Sequence, residues 1–320
     1  MSANLSDTLA GLLNLNDANL ADINPSDLLL DAPLVAAIAA VPASQGGTTH
    51  KYLKETGATT VQFRALNTGI QNTASEDTLV TVDLKFLDGT FHRDVQLADA
   101  YKDGVGAYMA RETQRAIRAM FQGLERNILR GTGGVTGTGF TGFPDNSLVN
   151  ATGDAMVVNA GGSGGRSVWL LRSAPEEVAL IAGNDGRIDF QFDPDHTQLI
   201  QSVASPTALD VRSYLAYVAK LYGWFGMQYG SIYGLGRICN LDGSEGALLT
   251  DDLIAQAIAK FPSTRPPTHI VMDRELRRQL QNSRTAVNPT GAPAPFPTEA
   301  FGVPIVATDQ LKTDESTVTA

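Results

Sequence analysis

The sequence predicts an α+β protein with long projections, and three observations carry that reading. Between Asp103 and Gly131 apolar residues recur at three- and four-residue spacing, the mark of one long amphipathic helix. Before that helix, and again toward the C-terminus, short runs alternate apolar and polar residues with a period of two, as half-buried strands do. Residues 1–50 hold leucine-rich patches but no core of their own.

That first stretch sets Leu12, Leu13, Leu15, Leu28, Leu29 and Leu30 among Asp, Asn and Ala. A lone arm of this kind would leave its leucines wet, so it must pack on the rest of the chain or on a neighbour. The other reading is a small N-terminal helical subdomain. From Thr59, Val61, Phe63 and Ala65 alternate with Gln62 and Arg64, and later Val80, Val82, Leu84 and Phe86 alternate with Thr81, Asp83 and Lys85. Both runs read as strands of a two-stranded arm, joined by the polar stretch Asn67 to Asp77. Such an arm is marginal alone and needs a partner surface. Asp88-Gly89 offers a tight turn after it.

In the long helix the stripe is Val105, Tyr108, Met109, Ala116, Ile117, Met120, Phe121, Leu124 and Ile128. Asp103 can cap its start, Arg126 and Arg130 suit the negative end of its dipole, and Gly131 can close it. A glycine-rich connection follows. Strands resume at Ser167 to Leu171, Tyr214 to Val218, Gly226 to Tyr229 and Leu235 to Leu241. A helix from Asp251 to Phe261 has Thr250 as its cap, and another spans about Asp273 to Ser283. Between them Thr268 to Met272 reads as a buried strand, and Gly302 to Val306 as a final one whose Pro304 suits an edge.

Composition narrows the function. With 320 residues and 43% apolar content the chain can bury real cores, and its formal charge of −10 argues against gripping nucleic acid over its whole surface. The first basic residue apart from His50 is Lys51, and the preceding stretch holds five Asp, unlike a secretory signal. No apolar run approaches the ~20 residues that span a bilayer. Cys239 is the one cysteine and reads as a buried small side chain, so neither an internal disulfide nor a cysteine zinc site is expected.

Several motifs invite chemistry. Gly137, Gly139 and Gly142 satisfy G-x-G-x-x-G, but they follow a helix instead of opening one, so a flexible surface connection is expected. Gly161-Gly162-Ser163-Gly164-Gly165 matches the nucleophile elbow, yet a strand follows where the supporting helix belongs. Asp185, Asp189, Asp193 and Asp195 with His196 could offer ligands to a divalent ion, against a plain solvated loop. His50, His92, His196 and His269 lie far apart, and no pattern calls for a catalytic site, a metal or a cofactor. Arg111, Arg115 and Arg118 fall on one face of the long helix, continued by Arg126 and Arg130, with Glu112 and Glu125 able to neutralise part of it.

The leucine-rich arm, the hairpin, the long helix closing in Leu129-Arg130-Gly131-Thr132-Gly133, the Gly-Phe-Thr-Gly-Phe loop, the helix after Thr250 and the run Phe301 to Asp309 resemble, in that order, the major capsid proteins of tailed phages with the Hong Kong 97 fold. The stretches Val41 to Asp99 and Asn288 to Asp309 are similar to a branch known as phage major head proteins. The resemblance implies an N-terminal arm over 1–50, an E-loop over 51–102, a mainly P-domain segment over 103–245 with its spine helix at 103–131 and strands at 214–241, and a mainly A-domain segment over 246–320. One departure is that sheet strands come before the A-domain helix, which suggests a permuted segment order.

By the same resemblance many copies would form pentamers and hexamers of an icosahedral head around double-stranded DNA, held without sequence specificity, with no reaction catalysed. A portal protein, and scaffolding and decoration proteins, would be partners; a membrane would not. Leu28, Leu29, Val82, Leu84 and Phe86 would lie in contacts between copies. The one-sided placing of Arg111, Arg115 and Arg118 in an acidic chain points either to a solvated face or to pairing with acidic surfaces of a neighbour or the packaged DNA. Lys85 and Lys102 are crosslink candidates by residue type only. The alternatives are another virion component such as a tail-tube subunit, and a serine hydrolase using Ser163.

Overall fold

The computed structural model describes residues 14–15, 29–44, 47–57, 61, 63–69, 76–133, 138–203, 211–288 and 292–319. In chain order the elements are β1 (Asn14–Leu15), α1 (Pro33–Ala37), β2 (Ala39–Pro42), β3 (Thr49–Gly57), β4 (Glu76–Asp83), β5 (Lys85–Asp88), β6 (Phe91–Asp94), α2 (Val95–Asp99) and α3 (Gly104–Arg130). Then follow β7 (Val157–Asn159), β8 (Arg166–Leu171), β9 (Val178–Ala182), β10 (Arg187–Val203), β11 (Val211–Tyr229), β12 (Leu235–Leu241), α4 (Asp251–Ala259), β13 (His269–Met272), α5 (Arg274–Val287), β14 (Glu299–Ala300) and β15 (Val303–Ala307).

The apolar stripe makes α3. Tyr108, Met109, Ile117, Met120, Phe121, Leu124 and Ile128 are buried in the core, and Val105 and Ala116 pack at its margin. At about 1.5 Å per residue the helix runs ~40 Å. Its start differs from expectation: Asp103 makes no side-chain cap, and the chain enters through Gly104 at φ +87°. Its end follows expectation, with Gly131 at φ +73° donating its N–H to Asn127 O. Thr250 Oγ1 accepts from Leu253 N at 3.4 Å, the cap the sequence offers for α4, and Asp273, expected inside the next helix, instead caps α5, its Oδ1 accepting from Leu276 N at 2.7 Å.

Among the described residues the strands form three sheets. The first runs β1-β10-β11-β9-β2, with β5 and β6 also on β11. Strand β11 is its axis: one edge pairs with β10, and the other takes β6, β5 and β9 in turn. The sequence had split this strand at its centre. Gly223 does not break it, because a Cβ there would meet Phe225 Cε2 at 2.8 Å, and the bare backbone lets that ring pack close. Strands β5 and β6 are both antiparallel to β11, so Asp88-Gly89 interrupts one continuous run and does not reverse the chain. Strand β10 takes in three of the acids expected on a loop, Asp189, Asp193 and Asp195, with Asp185 in the turn before it, and Asp189 sits opposite Tyr222.

The second sheet has the order β14-β15-β13-β8-β12-β7. Strand β12 therefore shares a sheet with the C-terminal β13 and β15, not with β11. Helix α4 packs on β12 and β7. Trp169 of β8 is buried with its ring 5.5 Å from that of Phe143.

The third sheet is a ribbon of β3 and β4, with Leu53 opposite Leu79 and His50 opposite Val82. Its first strand is Thr49–Gly57, not the run from Thr59. The glycine-rich connection is packed in its described part, contrary to the flexible link expected: Phe143 N donates to Ile128 O at 2.8 Å, and Asn127 Nδ2 to Phe140 O at 3.0 Å. A Cβ on Gly142 would lie 2.5 Å from Asn127 O and 2.6 Å from Ile128 O. Glycine is needed for this close approach to the last turn of α3, where orphan carbonyls seek donors.

Candidate functional site

The ribbon has an anchored face and an open face. On the anchored face His50 is buried; its Nδ1 accepts from Ser44 N at 3.1 Å, which leaves Nε2 to donate to Gln228 Oε1 at 3.0 Å. Tyr52 Oη accepts from Tyr229 N at 3.2 Å, and Glu55 N donates to Gly230 O at 2.9 Å. Burial pushes both tyrosine hydroxyls above their ordinary pKa, and Tyr229 well above it. Further out Arg265 pairs with Glu55 at 3.1 Å. On the open face the cross-strand pair Leu53 and Leu79 stands exposed.

Beyond the ribbon, residues 61 and 63–69 hold no strand. A small polar turn organises them. Thr68 Oγ1 donates to Ala65 O at 2.7 Å, Arg64 Nη1 to Thr68 O at 2.8 Å, and Asn67 takes φ +66°. With the backbone thus satisfied, Val61, Phe63 and Leu66 are each at least 88% exposed. Three such side chains in six residues form an apolar tip that nothing among the described residues covers.

Residues 28–319 match the family described as Major capsid protein GP7. The chain belongs to that family. Among solved structures this capsid protein is similar to a chain of bacteriophage Epsilon15, at 17% identity and TM-score 0.58 over 88% of each chain. It is also similar to the capsid of bacteriophage JBD30, at 13% identity and TM-score 0.49 over 89% of this chain and 90% of that one. No curated protein matches the sequence. The fold is the Hong Kong 97-like one of phage capsid proteins, and the role is that of a major capsid protein of the virion.

The residues expected in contacts between copies divide in the structure. Leu28 lies outside the described residues. Leu29 and Leu84 do not offer a surface: Leu29 is 1% and Leu84 4% exposed, both covered by their own chain. Leu84 fits over Gly226 of β11 and Gly183 just past the end of β9, where an added Cβ would meet its methyls at 2.6 and 2.9 Å. Val82 is half-buried, and Phe86 is 50% exposed beside the rings of Tyr222 and Trp224.

The arginine face of α3 is largely engaged within the chain. Arg115 pairs with Glu112 at 2.7 Å, Arg118 with Asp31 at 3.6 Å, and Arg111 stacks over Tyr101 and Tyr108. Burial pushes Glu112 up, but hydrogen bonds and charge from Arg93 and then Arg115 outweigh it and hold the acid below its ordinary pKa. Arg126 and Arg130 bind the C-terminal segment, through Gln310 Oε1 at 3.1 Å and through Gln310 O and Leu311 O at 2.7 and 3.0 Å.

Glu125 does not neutralise that face. Seven residues after Arg118 and on the same side of α3, it is fully buried beneath the arm, where Oε2 accepts from Leu34 N at 2.9 Å and Val35 N at 3.4 Å, and Oε1 accepts from Thr308 Oγ1. Sequence reasoning missed this junction of arm, long helix and C-terminal segment, although Glu125 lies four residues after Phe121 and three before Ile128, inside the buried stripe.

The other motifs resolve locally. Ser163 directs both its N–H and its hydroxyl to Asp242 Oδ2, at 2.9 and 3.2 Å; the Ser244 hydroxyl first, and then the Ser163 and Ser244 N–H groups, hold Asp242 far below its usual pKa. His92 is exposed, and His269 Nδ1 meets Thr268 Oγ1 at 3.0 Å. Nothing is described of the side chains of Asp185, Asp193, Asp195 and His196; among the described residues no group of His, Cys, Asp or Glu is placed to hold a metal. Gly139 and Gly142 abut the C-terminal end of a helix, whose negative dipole disfavours a phosphate. Cys239 is buried as expected. Among the described residues no helix is long and apolar enough to cross a membrane.

Proposed function

We propose that the capsid protein assembles with copies of itself into pentamers and hexamers, which close into the icosahedral head of a tailed phage around double-stranded DNA. The exposed tip Val61, Phe63 and Leu66 supports this reading best. Burying each such side chain is worth roughly 1.5–3 kcal/mol before association costs, so a sister copy that covers the tip gains a contact repeated at every subunit. Exposed Leu53, Leu79 and Phe86 extend that surface down the ribbon. In this reading the ribbon and tip are the E-loop, α3 with the first sheet is the P-domain, and the second sheet with α4 and α5 is the A-domain.

The formal charge of −10 and the engagement of Arg115 and Arg118 within the chain fit a container that holds DNA loosely and without sequence preference. A portal protein, with scaffolding and decoration proteins, completes the partner set, and assembly takes place in the host cytoplasm. The chain catalyses no reaction; the Asp242 partner of Ser163 fits a turn-stabilising hydroxyl better than a nucleophile. Electron microscopy of the purified recombinant chain tests the proposal. Closed shells or capsomer sheets are expected, and discrete monomers at every concentration tried would overturn it.

A further inference from the structure

The junction at Glu125 has a chemistry that its position alone does not require. Its carboxyl is fully buried, and among the described residues no cation pairs with it. The charged groups nearest in the fold are engaged elsewhere. On the arm Asp31 faces Arg118, on the C-terminal segment Asp309 pairs with Arg274, and on α3 itself Arg126 binds Gln310. A carboxylate taken from water with no counter-ion is penalised, whereas the neutral acid keeps every bond seen here. In the neutral acid Oε2 is the carbonyl that accepts from Leu34 and Val35, and the Oε1–Thr308 Oγ1 contact, in which the threonine donates to the carboxylate, is kept with its direction reversed, onto an oxygen that also accepts from Gln310 N at 3.1 Å.

We propose that Glu125 is a proton-linked latch for the N-terminal arm: seating α1 on α3 takes up one proton from solvent at this carboxyl, and ionisation of Glu125 loosens the seat. Desolvation is the largest influence on Glu125 and raises its pKa; Asp309 adds to the rise, and the hydrogen bonds from Thr308, Leu34 and Val35 oppose it. A carboxyl whose pKa is raised on docking binds more protons docked than free. Docking is therefore strongest below the free value of 4.5, weakens as pH rises above it, and levels off once the docked acid has ionised.

Hydrogen exchange of the full-length chain, read by mass spectrometry on residues 33–38 and corrected for the intrinsic pH dependence of exchange, tests the latch. Protection should fall as pH rises above 4.5, by up to about tenfold per pH unit for one proton, while Glu125→Gln stays flat. The amides of β12, whose strand partners are β7 and β8, serve as the internal control. The same pH slope in Glu125→Gln as in wild type would overturn the proposal. If Glu125→Gln yields no folded protein, wild type alone decides: arm protection that does not vary with pH, or that varies only in step with β12, overturns it as well.

Discussion

Glu125 Oε2 accepts the backbone N–H of Leu34 at 2.9 Å, joining the long helix to the arm across 91 residues of sequence. Removing the carboxyl with Glu125→Ala strands the donors of Leu34 and Val35 in a buried site, at a cost of about 1–3 kcal/mol. Glu125→Gln keeps an acceptor for them and should cost clearly less. Urea unfolding of both variants checks the order; equal losses would mean that packing, not these bonds, seats the arm.

Glu112 lies on the same helix and has the opposite sign. Arg93 approaches it at 2.5 Å and Arg115 at 2.7 Å, and together they lower its pKa from 4.5. Stability from a depressed carboxyl is present above its unfolded pKa and is lost as pH falls through the folded one. Arg93→Gln should therefore move the acid-unfolding midpoint, followed by near-ultraviolet circular dichroism, to higher pH. An unmoved midpoint would show that Arg115 alone suffices.

Arg237 and Glu315 tie the C-terminal segment to the second sheet. The guanidinium meets Glu315 Oε2 at 2.9 Å, Ser167 Oγ at 3.0 Å and the Trp169 ring at 4.8 Å, with both charged side chains nearly buried. Glu315→Ala leaves an uncompensated charge, a loss of about 3–5 kcal/mol. Arg237→Met combined with Glu315→Leu should recover much of that loss in urea titrations. A double variant no better than Glu315→Ala would contradict the burial argument.

Two glycines around α3 should respond in opposite directions. Gly142→Ala pushes a methyl against the Asn127 and Ile128 carbonyls, which belong to helix backbone and cannot step aside, so about 1–3 kcal/mol should be lost. Gly123 lies within α3 with no described neighbour within 4 Å of an added Cβ, so Gly123→Ala should gain about 0.5–1 kcal/mol. Melting curves of the two variants give the comparison directly, and a loss for both would mean that Gly123 also serves a close contact.

What could be read from the sequence follows the range of the signal. Helices α3, α4 and α5 and strand β12 were legible because stripe, cap and apolar run are local. Strand β3 was not: Lys51, Lys54 and Glu55 hide it, and pairing with β4 makes it a strand, while the cleaner alternation at Val61 and Phe63 belongs to no strand. Asp189 of β10 read as loop for the same reason, since pairing opposite Tyr222 of β11 makes it strand. Apolar character at Leu29 and Leu84 was evident, but which surface covers a side chain is a tertiary fact. For Arg126 and Arg130 the sequence located the helix end and missed the C-terminal segment they hold.

The tip allows stability and assembly to be separated. Val61, Phe63 and Leu66 touch so little of their own chain that Phe63→Ser with Leu66→Ser should leave the monomer within about 0.5 kcal/mol of wild type. If sister copies cover the tip, the same variant should lose most of the apolar gain at every contact and remain as small species in sedimentation velocity, with no shells under the microscope. The Leu199 and Leu215 pair, also exposed but on the β10–β11 hairpin, provides the comparison. Serine at both of those positions with assembly retained would localise the effect to the ribbon tip, whereas normal shells from the Phe63 and Leu66 variant would remove the tip from the interface.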